Sequence, residues 1–424
     1  MNYRFFVIGL LLFIVAAGCA GPKPAAGIRM SISKSSPPDS FLPSLLARYP
    51  QYFDTLLKNN KTWGIQIVYT RIDRNRRNKP RFTTYQFNTS NQTYFYPAST
   101  VKMPVAVLAL QKLNELHIPG LNKYSTMVTE KAGTKQTAVY NDPTSEDGRP
   151  TVAQYIRKIF LVSDNDAFNR LYEFLGPDYI NSHLHTMGWD SVQLLHRLSV
   201  FLPEDENRFT NPVLFYDTAA TLLYKQPAVR STRFYPPRIN RLGKGYYSGD
   251  SLITEPFDFS KKNRLPLPDL HHMLQRILFP RSVSKKQRFN LRAADYRFLY
   301  RYMQMLPRQS QYPQYDSTYN DAYVKFLFYG AQDPADSNIH IFNKVGDAYG
   351  FLTDAAYIID TKTGVEFLLS ATIHCNSDGI YNDDKYDYDT VGFPFMRHLG
   401  RAVYEYEKAR PHKHQPDFSR FLKE

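Results

Sequence analysis

The last third of the chain contains three apolar segments of strand length in close succession. Ile339 to Gly346, Tyr349 to Ile359 and Val365 to Ile373 are joined by short turns. Strands joined in this way pair antiparallel with their neighbours along the chain. Phe393 to Ala409 follows with apolar residues at the spacing of an amphipathic helix. The pattern therefore predicts an antiparallel sheet covered by a closing helix.

The beginning of the chain supplies matching elements. A helix is expected over roughly Leu42 to Leu57, strands over Gly64 to Tyr69 and Phe82 to Phe87, and a helix over Ser99 to Leu116. Packing the two groups of strands together gives an α+β fold, in which an antiparallel sheet of about five strands is flanked by the terminal helices.

Between these groups lies a long middle segment. Residues 154–225 have mostly helical periodicity, which predicts a mostly helical lobe. Residues 226–335 are rich in Arg, Tyr and Pro and are interpreted as an insertion, with helices at Leu267–Leu278 and Ala293–Met305. The predicted domain spans residues 41–410, and residues 411–424 form a basic tail.

The first forty residues indicate that the protein is exported, and they are not predicted to be part of the folded domain. Arg4 precedes an apolar run that is too short to span a bilayer, and small residues follow directly before Cys19. This resembles a bacterial lipoprotein signal, with residues 1–18 as signal peptide, Cys19 as the lipidated residue and 19–40 as a flexible tether. The alternative is an ordinary signal peptide. We expect a lipid-anchored, periplasm-facing protein of the cell envelope, in the outer membrane if the source is Gram-negative.

Composition narrows the function classes. The 424 residues are 43% hydrophobic, which supports a large core and excludes a disordered chain or a coiled coil. The formal charge of +14 suits an anionic envelope, and nucleic acid is not an expected partner. Two cysteines, Cys19 and Cys375, provide no disulfide framework.

Three short motifs could carry chemistry. Ser99 and Lys102 are three residues apart at a helix start, so that the Lys amine can take the Ser hydroxyl proton. Ser163-Asp164-Asn165 lies in a break between helices, where it could also act only as a helix cap. Lys344-Val345-Gly346 ends the first of the three late strands. A second candidate, Lys362-Thr363-Gly364, lies in a turn and is set aside, because it would leave one strand before the final helix.

With these three motifs in this order, the chain resembles the penicillin-recognising serine hydrolases, specifically the class A β-lactamase-like branch. The resemblance covers roughly residues 42–215 and 335–410 and implies a β-lactamase/transpeptidase-like fold. It further implies that Ser99 is the nucleophile, Lys102 the general base and Ser163 a proton relay. Asn165 and Lys344 would bind substrate, with Gly346 beside them, and the backbone N–H groups of Ser99 and Asp347 would form the oxyanion hole.

Two departures from that family concern substrate and turnover. Val345 replaces a hydroxyl residue that would bind a β-lactam carboxylate. The stretch from Arg197 to Asn211 lacks the glutamate of the family's R-x-E-x-x-L-N loop, which holds the deacylating water. Glu204 and Glu206 are nearby candidates for that base, although both could equally be solvated charges. Without such a base, we expect that Ser99 is still acylated and that the acyl-enzyme is hydrolysed slowly.

The leading hypothesis is an enzyme that forms an acyl-enzyme with a β-lactam or a peptidoglycan stem peptide of the D-Ala-D-Ala type. A true β-lactamase is the alternative within the class. A non-catalytic peptidoglycan-binding lipoprotein is the alternative from another class. No cofactor and no metal site are expected, since His271 and His272 have no partners at ligand spacing.

Overall fold

The computed structural model describes residues 40–132 and 137–422. The predicted signal peptide, Cys19 and almost all of the tether lie outside the described residues. Within the described ranges, none of the helices combines the length and the apolar character that a membrane span requires.

The helices are numbered along the chain. They are α1 Phe41–Leu46, α2 Pro50–Lys58, α3 Asn60–Trp63, α4 Lys102–Leu116, α5 Val152–Val162, α6 Asn165–Leu175, α7 Pro177–Thr186, α8 Glu204–Asn207, α9 Leu267–Leu278, α10 Ala293–Gln304, α11 Phe326–Tyr329, α12 Phe393–Ala409 and α13 Ser419–Leu422. Short 3-10 turns and a π-helical turn at Tyr388–Gly392 complete the helical segments.

The strands are numbered in the same way. They are β1 Gln66–Arg74, β2 Pro80–Phe87, β3 Thr126–Thr129, β4 Phe209–Thr210, β5 Val213–Tyr216, β6 Leu222–Gln226, β7 Val229–Arg230, β8 Arg241–Leu242, β9 Gly245–Ser248, β10 Ser251–Ile253, β11 Phe257–Asp258, β12 Ile339–Ala348, β13 Phe351–Asp360, β14 Glu366–His374 and β15 Ile380–Tyr381.

The main sheet has five strands in the order β12-β13-β14-β1-β2. Every neighbouring pair is antiparallel, with Lys344 opposite Ala355 and Val68 opposite Ser370. The predicted α+β class and the five-stranded antiparallel sheet are therefore confirmed. The order places β12, which carries the Lys344 motif, at one edge of the sheet.

Both faces of this sheet are buried, and successive side chains enter different cores. All ten residues of β13 are buried. Tyr357 belongs to a core shared with the helices of the middle lobe, and Ile358 to a core shared with α1, α2 and α12. Because side chains alternate across a strand, a central strand covered on both faces must be apolar throughout.

Residues 226–335 pack onto the main sheet, where α9 covers one of its faces. His271 in α9 is fully buried and is within hydrogen-bond distance, 2.8 Å, of both Thr70 in β1 and Ser370 in β14. The side chains of Leu270 and Met273 enter the larger core. A helix in this position shields the sheet from water, so the segment is part of the structural body.

Three expectations need correction. The helix predicted over Leu42–Leu57 is two helices, because Pro50 lacks the N–H that a continuous helix requires and instead begins α2. The largely helical character predicted for residues 154–225 ends at α7, after which the chain forms loops and short strands. The predicted basic tail packs back onto the body, where Phe418 and Phe421 are buried in the larger core.

Candidate active site

Ser99 lies in a tight turn that precedes α4. Residues Ala98–Val101 form a 3-10 turn, and the α-helix begins only at Lys102. In a 3-10 turn, side chains three residues apart eclipse one another, so Ser99 and Lys102 share a face. Ala98 has a left-handed backbone with φ of 45°, which costs energy for a residue with a Cβ. Such strain beside a reactive side chain is typical of functional sites.

Lys102 is fully buried and points towards the break between α5 and α6. Its amine donates to the Asn165 Oδ1 at 2.7 Å, to the Ser163 hydroxyl at 3.3 Å and to the Ser163 carbonyl oxygen. Burial, reinforced by the nearby Lys344, lowers the pKa of Lys102 far below its ordinary value. A lowered pKa enlarges the fraction of the amine that is neutral, and a neutral amine can accept a proton.

No hydrogen bond joins Ser99 to Lys102 in the part of the chain that the structure describes. The Ser99 side chain is half-exposed at the cleft. Catalytic hydrogen bonds are often long without substrate and tighten only when it binds. Ser99 and Lys102 are related by the face of the 3-10 turn that they share, not by a hydrogen bond.

Ser163 and Asn165 are positioned by the junction of two helices. Ser163 ends α5 with a left-handed φ of 60°, and the carboxylate of Asp164 caps α6 by accepting from the Ala167 N–H at 2.7 Å. The helix-cap interpretation is therefore right for Asp164, while its two neighbours bond to the Lys102 amine. The cap and the functional contacts are compatible because they use different side chains of one turn.

Lys344 approaches Ser163 from the edge of the sheet. Its amine donates to the Ser163 hydroxyl at 2.8 Å and to the Val345 carbonyl oxygen at 2.8 Å. Burial lowers the pKa of Lys344 to about 7, partly offset by the carboxylates of Asp347 and Asp354. One hydroxyl thus lies between two buried amines, an arrangement suited to passing a proton. The Val345 side chain is buried in the core shared with the terminal helices.

Gly346 allows the edge strand to lie directly against the turn that bears Ser99. A Cβ at this position would come within 2.7 Å of the Pro97 carbonyl oxygen and 2.8 Å of the Ser99 and Thr100 nitrogens. The absence of a side chain at Gly346 thus makes room for the chain's own backbone. The same approach brings the Ser99 N–H close to the strand that continues into Asp347.

Glu173 joins the two ends of the loop that follows α7, and the sequence analysis did not identify it. Glu173 in α6 forms a buried ion pair with Arg197 at 2.7 Å and accepts from the Asn211 N–H at 2.6 Å. The sequence showed Arg197 and Asn211 at the two ends of this loop, but nothing in it identified the carboxylate that ties them.

Ser199 is the second residue that the sequence did not reveal. It stands two positions after Arg197, where the R-x-E pattern has its glutamate, and its backbone φ is 53°. The Asn165 amide nitrogen donates to the Ser199 hydroxyl at 2.8 Å. Asn169 fixes the preceding residue, Leu198, through two backbone hydrogen bonds. The loop therefore presents a hydroxyl, not a carboxylate, to Asn165.

The two proposed deacylation bases are not brought to this cluster. Glu204 is exposed and pairs with Lys261 at 2.9 Å. One carboxylate oxygen of Glu206 is buried, and it has no hydrogen-bond partner among the described residues. Within the described ranges, neither glutamate bonds to Ser99, Lys102 or Asn165. The structure thus favours the surface-charge interpretation for Glu204 and gives no support to either as the base.

The remaining candidates take the places expected for them. Lys362, Thr363 and Gly364 lie in the turn between β13 and β14, and the Asp360 carboxylate binds the Thr363 hydroxyl there. Cys375 is a buried free thiol. No group of three or more metal-binding side chains that could hold an ion is found among residues 40–132 and 137–422.

The fold brings a serine, a buried lysine and a second hydroxyl to the junction of sheet and helices, an arrangement that suits a serine hydrolase. The chain belongs to the Beta-lactamase enzyme family, whose sequence profile matches residues 51–406. It is accordingly a β-lactamase-like member of the penicillin-recognising serine hydrolases. No curated protein matches it in sequence.

Solved structures with a similar arrangement are distant in sequence. A β-lactamase from Desulfarculus baarsii is 13% identical, with a TM-score of 0.48, over 88% of this chain and 98% of that chain. PBP-A is 15% identical, with a TM-score of 0.47, over 86% and 96%. A β-lactamase from Streptomyces albus G is 13% identical, with a TM-score of 0.44, over 86% and 99%.

Proposed function

We propose that this hydrolase forms an acyl-enzyme through Ser99 with a β-lactam or a D-Ala-D-Ala-type peptide amide, and that the acyl-enzyme is cleared slowly. The observation that carries the proposal is the buried Lys102 amine, bonded to Asn165 and Ser163 and depressed in pKa. A buried lysine without a carboxylate partner is costly to maintain, and perturbed groups in a cleft mark catalytic sites.

In the acylation step, the Ser99 oxygen attacks the substrate carbonyl carbon while its proton passes to the neutral Lys102 amine. The carbonyl oxygen becomes an oxyanion, and the backbone N–H groups of Ser99 and Asp347 would stabilise it. The C–N bond then breaks, and the leaving nitrogen takes a proton from the Ser163 hydroxyl. Lys102 re-protonates Ser163 through their existing contact, so that Lys102 and Ser163 end as they began and Ser99 carries the acyl group.

Lys344 would bind the substrate carboxylate when its amine is charged. It already contacts Ser163, so a bound carboxylate would lie beside the relay hydroxyl. The buried Val345 side chain supplies no hydroxyl to that carboxylate, which leaves recognition mainly to the charge of Lys344. This arrangement favours substrates with a free carboxylate and weakens binding of penicillins that depend on a second hydroxyl contact.

Slow deacylation is supported by the chemistry of the loop. Hydrolysis of the ester requires a base that activates water. The loop residue that reaches Asn165 is Ser199, whose hydroxyl is a far weaker base than a carboxylate. This property favours a penicillin-binding or peptidase function over a true β-lactamase, and family membership favours either enzyme over a non-catalytic binding protein.

The deciding experiment follows the intact mass of the chain over time with a penicillin and with a cephalosporin, beside a Ser99→Ala variant. An adduct that persists in the wild type and is absent in S99A supports the proposal. Disappearance of the adduct together with consumption of the drug would indicate a true β-lactamase. If neither drug gives an adduct, the β-lactam assignment is wrong.

We further propose that the enzyme is anchored to the cell envelope by lipid on Cys19, with residues 1–18 removed and the domain facing the periplasm. The support is the sequence of the N-terminus alone. Metabolic labelling with a radioactive fatty acid tests it. Label should enter the wild-type chain and be lost in Cys19→Ala, while label absent from both would refute the anchor.

A further inference from the structure

A second cavity, of about 820 Å³, lies between α10, the edge of β12 and the C-terminal α13. Its volume falls in the range of small-molecule sites. None of Ser99, Lys102, Ser163, Asn165 and Lys344 lines it, so it is distinct from the catalytic cluster. Nothing in the proposed reaction uses this space.

The cavity is lined by an unusual number of cationic side chains. Lys123 and Arg308 each have an acidic partner, Asp295 at 3.0 Å and Asp321 at 2.7 Å. Arg157, Arg297 and Arg301 also line the cavity, and none of the described carboxylates lies within ion-pair distance of them. The lining includes one carboxylate in the described ranges, Asp336, which accepts hydrogen bonds from Asn338. Three positive charges therefore face the cavity uncompensated.

Two of these arginines are held close to one another by an aromatic ring. The guanidinium carbon of Arg157 lies 5.3 Å from the centroid of the Tyr302 ring, and that of Arg301 lies 5.8 Å from it. Like charges gathered around one cavity repel one another, which costs free energy. An anion in the cavity would remove that cost.

Arg157 gives a second, independent reason to expect a ligand in the cavity. Its Nε is buried and has no hydrogen-bond partner in the described part of the chain, although its terminal nitrogen donates to the Gln154 Oε1 at 3.2 Å. An unsatisfied buried donor costs free energy, and a ligand that accepts from it recovers that cost. Guanidinium groups bind phosphate and carboxylate through paired, planar hydrogen bonds.

We propose that this cavity is a binding site for a ligand that carries two or more oxyanion groups, either phosphate or carboxylate. Three guanidinium groups match several separated negative charges better than one. Tyr302, between two of them, offers an apolar surface to the ligand's backbone. Because Arg157 lies on α5, six residues before Ser163, the ligand would also contact the helix that delivers the relay hydroxyl.

The test is calorimetric titration of the full chain, in neutral detergent at about 0.15 M salt, where long-range attraction is largely screened. Inorganic tripolyphosphate and citrate serve as the phosphate and the carboxylate probe. We expect saturable binding of one ligand per chain. Stronger binding of tripolyphosphate assigns the site to phosphates, and stronger binding of citrate assigns it to carboxylates. If neither binds, the proposal is overturned.

Variants of the cavity arginines test whether the probes bind in the cavity. Arg297 and Arg301 are exposed, so the double variant R297Q/R301Q should fold, and it should weaken binding about tenfold or more. Arg281→Gln is the matched control, because Arg281 is exposed and outside the cavity. Thermal melting of each variant confirms folding, and R157Q alone replaces the double variant if that one unfolds. Undiminished affinity in a folded cavity variant would overturn the assignment.

Discussion

Asn165 connects Lys102 to Ser199: its side-chain oxygen accepts from the Lys102 amine at 2.7 Å, and its nitrogen donates to the Ser199 hydroxyl at 2.8 Å. A single amide therefore links the group that would activate the nucleophile to the loop that would host the hydrolytic water. The orientation of the amide is fixed from both sides, since its oxygen can only accept and its nitrogen can only donate.

Replacing Lys102 with Ala should slow acylation of Ser99 by a factor of about a hundred to ten thousand, the usual contribution of a general base. Stopped-flow measurements with a fluorescent penicillin give the rate. Lys112→Ala is a matched control, since Lys112 is on the same helix and its pKa is also lowered, to about 8. Its amine bonds instead to Phe174 and Gln226. Equal rates in K102A and the wild type would exclude Lys102 as the base.

The pH dependence of acylation should be bell-shaped. Lys102 must be neutral to take a proton, and because its pKa is lowered, the neutral fraction and the rate rise with pH from the acidic side. Lys344 must be charged to bind a carboxylate, and with a pKa of about 7 it loses that charge as pH rises further. The apparent values belong to the coupled pair of amines.

Lys344→Arg separates the two limbs, because a guanidinium stays charged across this range. The falling limb above pH 7 should disappear, while the rising limb remains. The measurement is the second-order acylation rate constant at limiting substrate between pH 5 and 10. A falling limb that persists unchanged in K344R would show that another group causes it.

Ser199→Glu should accelerate deacylation by about a hundredfold or more, because a carboxylate beside Asn165 can activate water. Ser199→Gln has the same length without the charge, and it should leave the acyl-enzyme as long-lived as in the wild type. The lifetime is measured by intact mass after free drug is removed. Similar lifetimes in the Glu and Gln variants would contradict the role assigned to this position.

Phe421→Ala should destabilise the protein by about 3–5 kcal/mol, the usual cost of removing a buried phenylalanine. Its ring is 2% exposed and packs against Phe279, Tyr300, Phe342 and Tyr357. Phe201→Ala is the control, since that ring is 94% exposed, and it should change stability by less than about 0.5 kcal/mol. Denaturant unfolding measures both. Similar stabilities would mean that the C-terminal segment is not part of the folded body.

The sequence predicted the elements that are governed by local periodicity. Leu267–Leu278 and Phe393–Ala409 are helices with the predicted bounds, and the three late strands differ only at their ends. These segments have strong apolar repeats that fit one secondary structure and no other. The lysines and serines of the site were predicted from three short motifs in the order that the resembled family has, since the spacing of Ser99 and Lys102 alone is a weak signal.

The sequence could not predict the contacts between residues that lie far apart along the chain. The ion pair of Glu173 with Arg197 and the contact of Asn165 with Ser199 join residues on different elements, and loop conformation decides them. Outside α9 and α10, residues 226–335 lack simple periodicity because their strands and helical turns are short. Burial of α9 on the sheet and of Phe421 in the core follows from tertiary packing, which composition does not reveal.

The ion pair beneath the loop couples the two ends of that loop through a single side chain. Glu173 holds Arg197 at one end and the backbone of Asn211 at the other, so both ends depend on one carboxylate. Removing either partner of a buried charge pair leaves an uncompensated charge and costs about 3–5 kcal/mol. A mutation of Glu173 would remove the support beneath the loop and leave the Asn165 and Asn169 contacts to hold Ser199, so catalysis could be impaired by a residue that the reactants never contact.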